Sequence, residues 1–389
     1  MERADVLTAR LATQRLSGPP ADDPTQVVRE LLCVQAQDAP LARAMIALRC
    51  SGGTDRDVQA ALAAGELVRT PVLRPTWHYV AAADLRWLLG LTSPKVESGM
   101  AAQHRQLNLT EPLVTAAFDV VTTRLQGRNF ANRTLLGAEL AGAGLAGSGL
   151  AGTGLAGSGL AGAGLLRPTD ALFGQQVGHV LMLAELRGLV CSAPVATTEH
   201  MYALLEEVVP PTPERDRDQA ITELVARFVA GHGPVALTDL TRWARVTLGE
   251  ARAALAGLAG RVERITVNGE ELWFSPGNSL PTQRPRDAWL LSTFDEAFLS
   301  HRKVPWPRSA QHPAGDNAYR FAEAGGGIVI LGFEDVGAWK RTRVRGAVRI
   351  GLELDATLSL AGRAAIDEAV DRLLSVIGET TTVADAPAA

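Results

Sequence analysis

The chain has 389 residues, 47% of them hydrophobic, which supplies the cores of about two to four compact units. Its 42 acidic side chains slightly outnumber its 38 lysines and arginines, so the net charge of −4 excludes a general attraction to polyanions and leaves only a local basic patch for nucleic acid. The three cysteines lack the spacing of a disulfide framework or zinc knuckle, and the acidic N-terminus lacks a signal peptide's apolar segment, so we expect a cytoplasmic protein.

The first 92 residues are predicted to form helices followed by a β-hairpin. Apolar residues recur at helical spacing over several stretches before the chain changes to two extended runs. The expected helices are 3–16, 24–34 and 41–49, followed by an element at 57–64 and strands at 66–73 and 76–81. This order is typical of a winged-helix module.

The next segment, 93–200, is interrupted by five copies of Leu-Ala-Gly-x-Gly between Leu140 and Gly164. Two glycines in every five residues would cost a helix about 1 kcal/mol each, which argues against a transmembrane span. We interpret residues 140–165 as an insertion in a surface loop. Around it, the pattern predicts helices at 111–125, 132–140 and 173–186 and a strand at 188–191, as in a second module.

The clearest module lies in the segment 201–280. A helix is expected over 218–231, Thr238 is expected to cap a short helix, and Thr247-Leu-Gly-Glu250 has the form of a capping box for the next helix. Asn268-Gly269 then separates two short extended runs, which predicts a hairpin. The last segment, 285–389, is predicted to be a small β-rich unit with strands at 288–292, 327–333 and 347–354 and a helix at 364–377.

Two glutamines, Gln35 and Gln37, follow the second predicted helix in the sequence Val-Gln-Ala-Gln-Asp. On a helix, this spacing would separate their side chains by roughly 200°, so both can serve one site only if the backbone leaves the helix here. Pro40 favours such a departure, because the residue before a proline is biased away from helical conformation. The alternative is an exposed helix end with Asp38 in a turn.

Three further groups of polar residues are candidates. Arg74, Thr76 and His78 would alternate onto one face of a strand, suited to phosphate or sugar, unless they form an ordinary solvated face with Trp77 and Tyr79 packed inward. The acidic pair at 295 and 296 lies among aromatic residues, where Asp295 either supports catalysis or caps a helix. The densest basic run comprises Lys340, Arg341, Arg343 and Arg345, and the alternation of its arginines indicates one face of a strand, which either contacts a nucleic-acid backbone or is an ordinary solvated face.

Other chemistries find little support in the sequence. The seven histidines are not paired at metal-ligand spacing, no Gly-x-Ser-x-Gly elbow occurs, and the glycine-rich repeat lacks the Lys-Ser/Thr of a phosphate loop. We therefore expect neither a metal nor a cofactor.

Four of these features, taken in chain order, resemble the winged-helix DNA glycosylases typified by AlkZ and YcaQ. They are the Gln35-Ala36-Gln37 motif, the Leu-Arg-Pro-Thr-Trp-His stretch at 73–78, the helix after Trp243 and the Phe-Asp-Glu sequence at 294–296. The resemblance implies an α+β fold of tandem winged-helix domains and a C-terminal small β-barrel, arranged as a C-shaped DNA clamp. It also implies that Gln35 and Gln37 are catalytic, with Asp38 and Asp295 as possible supporting residues, and that the basic residues contact DNA.

Members of this family remove bulky or crosslinking N7-alkyl purines, often in protection against DNA-damaging natural products. The resemblance therefore implies a monofunctional glycosylase that acts on double-stranded DNA carrying alkylated bases, as a monomer without an obligate protein partner and away from membranes. The alternative is a non-catalytic winged-helix protein, either a regulator or a damage sensor. A regulator would need polar residues on its recognition helix, whereas the helix at 248–258 is rich in alanine.

Overall fold

The computed structural model describes residues 2–143, 172–195, 197, 199–277, 287–308, 325–344, 347–378 and 384–385. The predicted Leu-Ala-Gly-x-Gly insertion lies almost entirely outside these ranges.

The described helices are α1 (Arg3–Thr13), α2 (Pro24–Leu31), α3 (Ala39–Ala47), α4 (Asp55–Ala63), α5 (Ala82–Gln106), α6 (Glu111–Leu125), α7 (Arg133–Gly142), α8 (Phe173–Leu186), α9 (Leu205–Val208), α10 (Arg217–His232), α11 (Leu237–Ala244), α12 (Leu248–Gly257), α13 (Glu296–Leu299) and α14 (Leu360–Ile377).

The described strands are β1 (Val34–Gln35), β2 (Leu67–Pro71), β3 (Trp77–Ala81), β4 (Ala131–Asn132), β5 (Val190–Ser192), β6 (Met201–Leu204), β7 (Glu263–Val267), β8 (Glu270–Phe274), β9 (Ala288–Ser292), β10 (Gly326–Leu331), β11 (Glu334–Val344), β12 (Ala347–Leu354) and β13 (Ala384–Asp385).

The chain divides into two compact units that do not follow its linear order. One unit contains both ends of the chain, Met1–Ala61 and Asp216–Ala389, and the other is the middle segment, Leu62–Arg215. In the first unit, α10 packs against α1, α2 and α12, and α3 packs against β9 and α14. The N-terminal helices therefore obtain much of their core from residues more than 150 positions later in the sequence.

Local signals place most elements where the sequence predicts them. The bounds of α6 and α8 agree with the prediction, and Thr247 caps α12 with its side chain accepting from the Glu250 backbone N–H at 3.2 Å. The hairpin of β7 and β8 turns at Asn268 and Gly269, whose φ angles are 52° and 80°, as expected of a two-residue hairpin turn. The element order α10, α11, α12 and hairpin is therefore confirmed.

Two predictions about helices need correction. Thr238 does not cap α11: the N-cap is Ala236, whose backbone N–H donates to Asp239 Oδ2 at 3.2 Å, because this aspartate lies three residues into the helix and reaches back to it. The sequence pattern also does not reveal α5, a helix of 25 residues with Pro94 inside it. This helix continues through residues 92 and 93, between which the sequence analysis places a domain boundary. The division of the chain into four segments stays a prediction.

The C-terminal strands form one five-stranded sheet in the order β13-β12-β11-β10-β9. Helix α14 packs against β9 and β10. The backbones approach so closely here that a Cβ at Gly326 would clash with the Trp339 carbonyl oxygen, and one at Gly327 with that of Leu291. Across the described strands the sheet is open, without pairing between β9 and β13, and so differs from the expected closed barrel.

None of the helices in the described part of the chain combines the length and the apolar composition that crossing a membrane requires.

Candidate active site

The Gln35-Ala36-Gln37 motif lies in extended and irregular backbone directly after α2. That helix ends at Leu32, whose φ of 68° turns the chain out of the helix before β1 begins at Val34. The backbone therefore leaves the helix before the motif, as it must if both glutamines are to serve one site. The two residues differ in environment, because Gln35 is 7% exposed whereas Gln37 is exposed to solvent.

Asp38 forms the turn that follows the motif. Its Oδ1 accepts the backbone N–H of Leu41 at 3.0 Å and so caps α3, while its side chain stays half-buried. The cap fixes the carboxylate close to the glutamines.

A small cavity lies beside the buried glutamine, with a volume of about 10 Å³. This is about the least space that can hold one water molecule, which also needs two to four polar partners. Its lining residues are Val34, Gln35, Asp38, Ala42, Met45, Ser292, Phe294 and Asp295. Four of these eight side chains carry oxygen, and the other four are apolar.

Asp295 reaches this cavity but is committed to a buried ion pair. Arg49 Nη2 donates to its Oδ1 at 2.7 Å and Arg49 Nη1 to its Oδ2 at 3.0 Å. The remaining donors of Arg49 are also satisfied, by the carbonyl and side-chain oxygens of Gln14 and the carbonyl of Met45. Asp295 also caps α13 by accepting the Ala297 N–H at 2.9 Å, so the predicted capping role is confirmed.

Glu296, to which the sequence pattern assigns no role, contacts the motif directly. Its Oε1 accepts the backbone N–H of Gln35 at 3.1 Å, and its Oε2 accepts Trp243 Nε1 at 2.8 Å and Ser300 Oγ at 2.9 Å. The residue is 1% exposed. A carboxylate this deeply buried requires several donors, but no local pattern shows that one of them lies 261 positions away.

The segment after α13 is fixed by two buried charges of opposite sign. Asp239 Oδ1 accepts the backbone N–H groups of Arg302 and Lys303 at 2.8 and 3.2 Å, and Arg10 donates to the carbonyl oxygens of Lys303 and Val304 at 3.1 and 2.7 Å. Burial lowers the pKa of Arg10 to about 10, against the raising effect of Asp239, so the guanidinium stays charged at neutral pH.

His301, in the same segment, is buried and neutral. Its Nε2 lies 2.8 Å from the carbonyl oxygen of His232, to which it donates. Burial lowers the pKa of His301 well below its ordinary value, and the nearby Arg10 charge lowers it further.

The proposed DNA-contacting residues of the first hairpin belong to the middle unit. Arg74 and Thr76 lie in the turn before β3, because Leu73 has a φ of 64°, and His78 is fully buried within β3. The three residues therefore do not form the expected exposed strand face. The structure does bring Arg74 and His78 together, with Nη2 of the first 3.2 Å from Nε2 of the second.

Three residues of the basic run, Lys340, Arg341 and Arg343, lie on β11. Lys340 is exposed and Arg341 is half-buried, and strand alternation places them on opposite faces. Arg341 shares its face with Trp339, which is buried and donates its indole N–H to the Leu291 carbonyl oxygen at 3.1 Å. Arg343 pairs with Val348 of β12, and Arg345 lies outside the described residues.

Comparisons with known proteins agree with this architecture. Residues 28–376 match the family model described as DNA glycosylase AlkZ-like. Among solved structures, the fold is similar to that of Streptomyces sahachiroi DNA glycosylase AlkZ, with a TM-score of 0.73 and 18% sequence identity over 99% of this chain and 100% of that chain. A search of curated protein sequences gave no significant match. Since the family model spans most of its length, the chain belongs to the AlkZ-like DNA glycosylase family.

Proposed function

We propose that this protein is a monofunctional DNA glycosylase that hydrolyses the N-glycosidic bond of purines alkylated at N7, including bulky adducts and interstrand crosslinks, in DNA repair or in self-resistance to genotoxins. Family membership supports the glycosylase reaction. The observation that carries the site assignment is the non-helical Gln35-Ala36-Gln37 backbone, with Gln35 and Asp38 lining a cavity of about 10 Å³.

The chemistry of the substrate suits this arrangement. Alkylation at N7 gives the purine a positive charge, so the base leaves as a neutral molecule and takes the electron pair of the C1′–N9 bond without a strong acid. The demand falls on the sugar, where positive charge develops at C1′. A carboxamide oxygen aimed at this centre stabilises that charge, and a second one orients the attacking water.

The different exposures of the glutamines suggest how they divide these roles. Gln35 is buried beside the water-sized cavity and would orient the water, whereas Gln37 is exposed and would face the sugar of the lesion. Asp38 borders the same cavity and would take the proton that the water loses on attack. Both carboxylate oxygens of Asp295 are occupied by the ion pair with Arg49. Asp295 would therefore support the site structurally, through that ion pair, and not as a base.

DNA binding is assigned to the remaining parts of the chain. We propose that the helical segments, including α10 to α12 with their hairpin, act as winged-helix DNA-binding modules. The C-terminal sheet takes the place of the expected barrel, and the protein acts as a clamp on DNA. Arg74, Thr76 and His78, with the basic run of β11, are the proposed contacts. For His78, which is buried, the contact would run through its neighbour Arg74. We also propose that the protein acts as a monomer.

The test is excision of a single N7-methylguanine from a duplex, detected as alkali-labile abasic strands, by wild type and by Gln35→Ala/Gln37→Ala. The matched control is Gln103→Ala, which removes an exposed glutamine from α5. We expect release by wild type and control but not by the double variant. Full release by a folded double variant would remove the glutamines from the mechanism. DNA binding without release from methylated, bulky or crosslinked duplexes would favour a non-catalytic DNA-binding protein.

A further inference from the structure

We infer that Glu296 is a positioning residue for the glycosylase reaction: its carboxylate fixes the backbone of Gln35 and so sets where the glutamine side chain points. The inference rests on the proposed role of Gln35. Its starting point is the hydrogen bond from the Gln35 N–H to Glu296 Oε1, at 3.1 Å.

The hydrogen bond acts on a short non-helical segment between two helices. Strand β1 has only two residues, and Leu32 with positive φ and the capped start of α3 lie on either side of the motif. Within this unit, the Gln35 N–H is held by a side chain. A bond to a charged acceptor is shorter and stronger than one between neutral groups, so a carboxylate suits this position.

The carboxylate is itself held by a second set of donors. Trp243 Nε1 and Ser300 Oγ both donate to Oε2, at 2.8 and 2.9 Å, which leaves Oε1 directed at Gln35. Trp243 is locked in turn, because its ring packs against Phe228 and His232 with centroid distances of 4.9 and 5.3 Å. The carboxylate that accepts the Gln35 N–H is therefore held by groups of α10, α11 and α13.

This arrangement does not make Glu296 a base in the reaction. The residue is 1% exposed, and both of its oxygens already accept hydrogen bonds from protein groups. It also does not line the small cavity beside Gln35. Its effect on excision is thus transmitted through the Gln35 backbone, and it should appear in the rate of the chemical step rather than in DNA affinity.

Glu296→Gln tests the inference, because the amide retains one acceptor oxygen while its NH₂ group must face one of the former donors. The matched control, Glu368→Gln, makes the same substitution at an exposed position of α14. We expect Glu296→Gln to lower the single-turnover excision rate by about 10- to 100-fold, as for a misplacement on the order of 1 Å, with the DNA Kd changed less than about twofold. The control should retain at least about half of the wild-type rate.

Hydrogen exchange at the Gln35 amide supplies a readout independent of catalysis. We expect faster exchange there in Glu296→Gln than in wild type or Glu368→Gln. If Glu296→Gln does not fold, Glu296→Asp decides, since its shorter side chain keeps the charge but withdraws from Gln35. Exchange equal to that of the control, or faster exchange with an unchanged excision rate, would overturn the inference.

The two proposals can fail separately. If wild-type protein released no base from any duplex, the proposed function would fall, while the exchange measurement would still decide whether Glu296 anchors Gln35. If wild type is active and Glu296→Gln behaves as Glu368→Gln does, the function stands and the positioning role is wrong.

Discussion

Arg49 and Asp295 form a bidentate ion pair in which the two N···O distances are 2.7 and 3.0 Å and neither side chain is more than 2% exposed. The pair joins the end of α3 to the start of α13, so it connects the N-terminal helices to the segment that holds Gln35. Two charges this deeply buried stabilise the fold only while both are present.

Removing one charge of this pair should be far more harmful than removing both. We expect Arg49→Met to lower the free energy of unfolding by about 3–5 kcal/mol, because it leaves the Asp295 carboxylate buried without compensation. Arg49→Met/Asp295→Asn should recover part of this loss, since asparagine also caps helices. Urea unfolding of the two variants measures the difference, and a double variant no more stable than Arg49→Met would contradict the argument.

Replacing Gln35 and replacing Gln37 should change the free energy of unfolding by different amounts. Gln35→Ala empties part of a buried site, so we expect it to cost about 1–3 kcal/mol, whereas Gln37→Ala at an exposed position should stay within about 0.5 kcal/mol of wild type. Thermal melting of both single variants provides the measurement. Equal losses would mean that the two side chains do not differ in burial as described.

The neutral, buried His301 predicts a loss of stability in acid. Its folded pKa lies below the unfolded value of about 6.5, so the unfolded chain binds the proton more readily. The stability that this group contributes is therefore complete above about pH 6.5 and is lost as pH falls through the folded pKa, by at most about 1.4 kcal/mol per pH unit. Urea unfolding between about pH 5 and 7.5 should show this slope in wild type and a smaller one in His301→Gln. Parallel slopes would assign the effect to other groups.

Helix caps provide a direct comparison of the sequence-based prediction with the structure. Thr247→Ala should cost about 1 kcal/mol, because it removes the cap of α12. Thr238→Ala should change stability by only about 0.5 kcal/mol or less, because Thr238 is an exposed residue inside α11 and not its cap. Denaturation of the two variants checks this order, and a larger loss at Thr238 would favour the cap that the sequence predicts.

The basic run of β11 should appear in the salt dependence of DNA binding. If the Lys340 and Arg341 side chains each bind a phosphate, replacing either one with alanine should reduce the slope of log K against log salt concentration by about 1. Lys303→Ala is the matched control, because Lys303 already pairs with Glu270 at 2.6 Å. Slopes equal to that of the control would place the DNA-binding surface elsewhere.

The parts of the fold that sequence predicts correctly are those specified by neighbouring residues. The capping box at Thr247 and the Asn268-Gly269 turn are each specified by a few adjacent residues, and the structure has both. The helix α5 contains Pro94, which argues locally against a helix, yet packing against α8 outweighs its cost.

For the site, sequence identifies the glutamines and the acidic pair but not how they are joined. The hydrogen bond between Glu296 and Gln35 spans 261 positions and depends on helices and strands that pack together from both ends of the chain. Burial of a carboxylate is visible only in three dimensions, so the sequence offers catalysis or helix capping for Asp295 and no role for Glu296. The capping role fits Asp295, and the role of its neighbour is missed.

The unit that contains both chain ends has a consequence for biosynthesis. Residue 35 leaves the ribosome long before residues 216 to 377, which supply its supporting helices and sheet. The N-terminal helices must therefore remain without their final partners while the middle unit is made, and closing so long a loop is slow. A chain interrupted before α13 would carry the complete glutamine motif but not the carboxylate that anchors it, so the order of synthesis withholds the finished site until the second segment of this unit has been made.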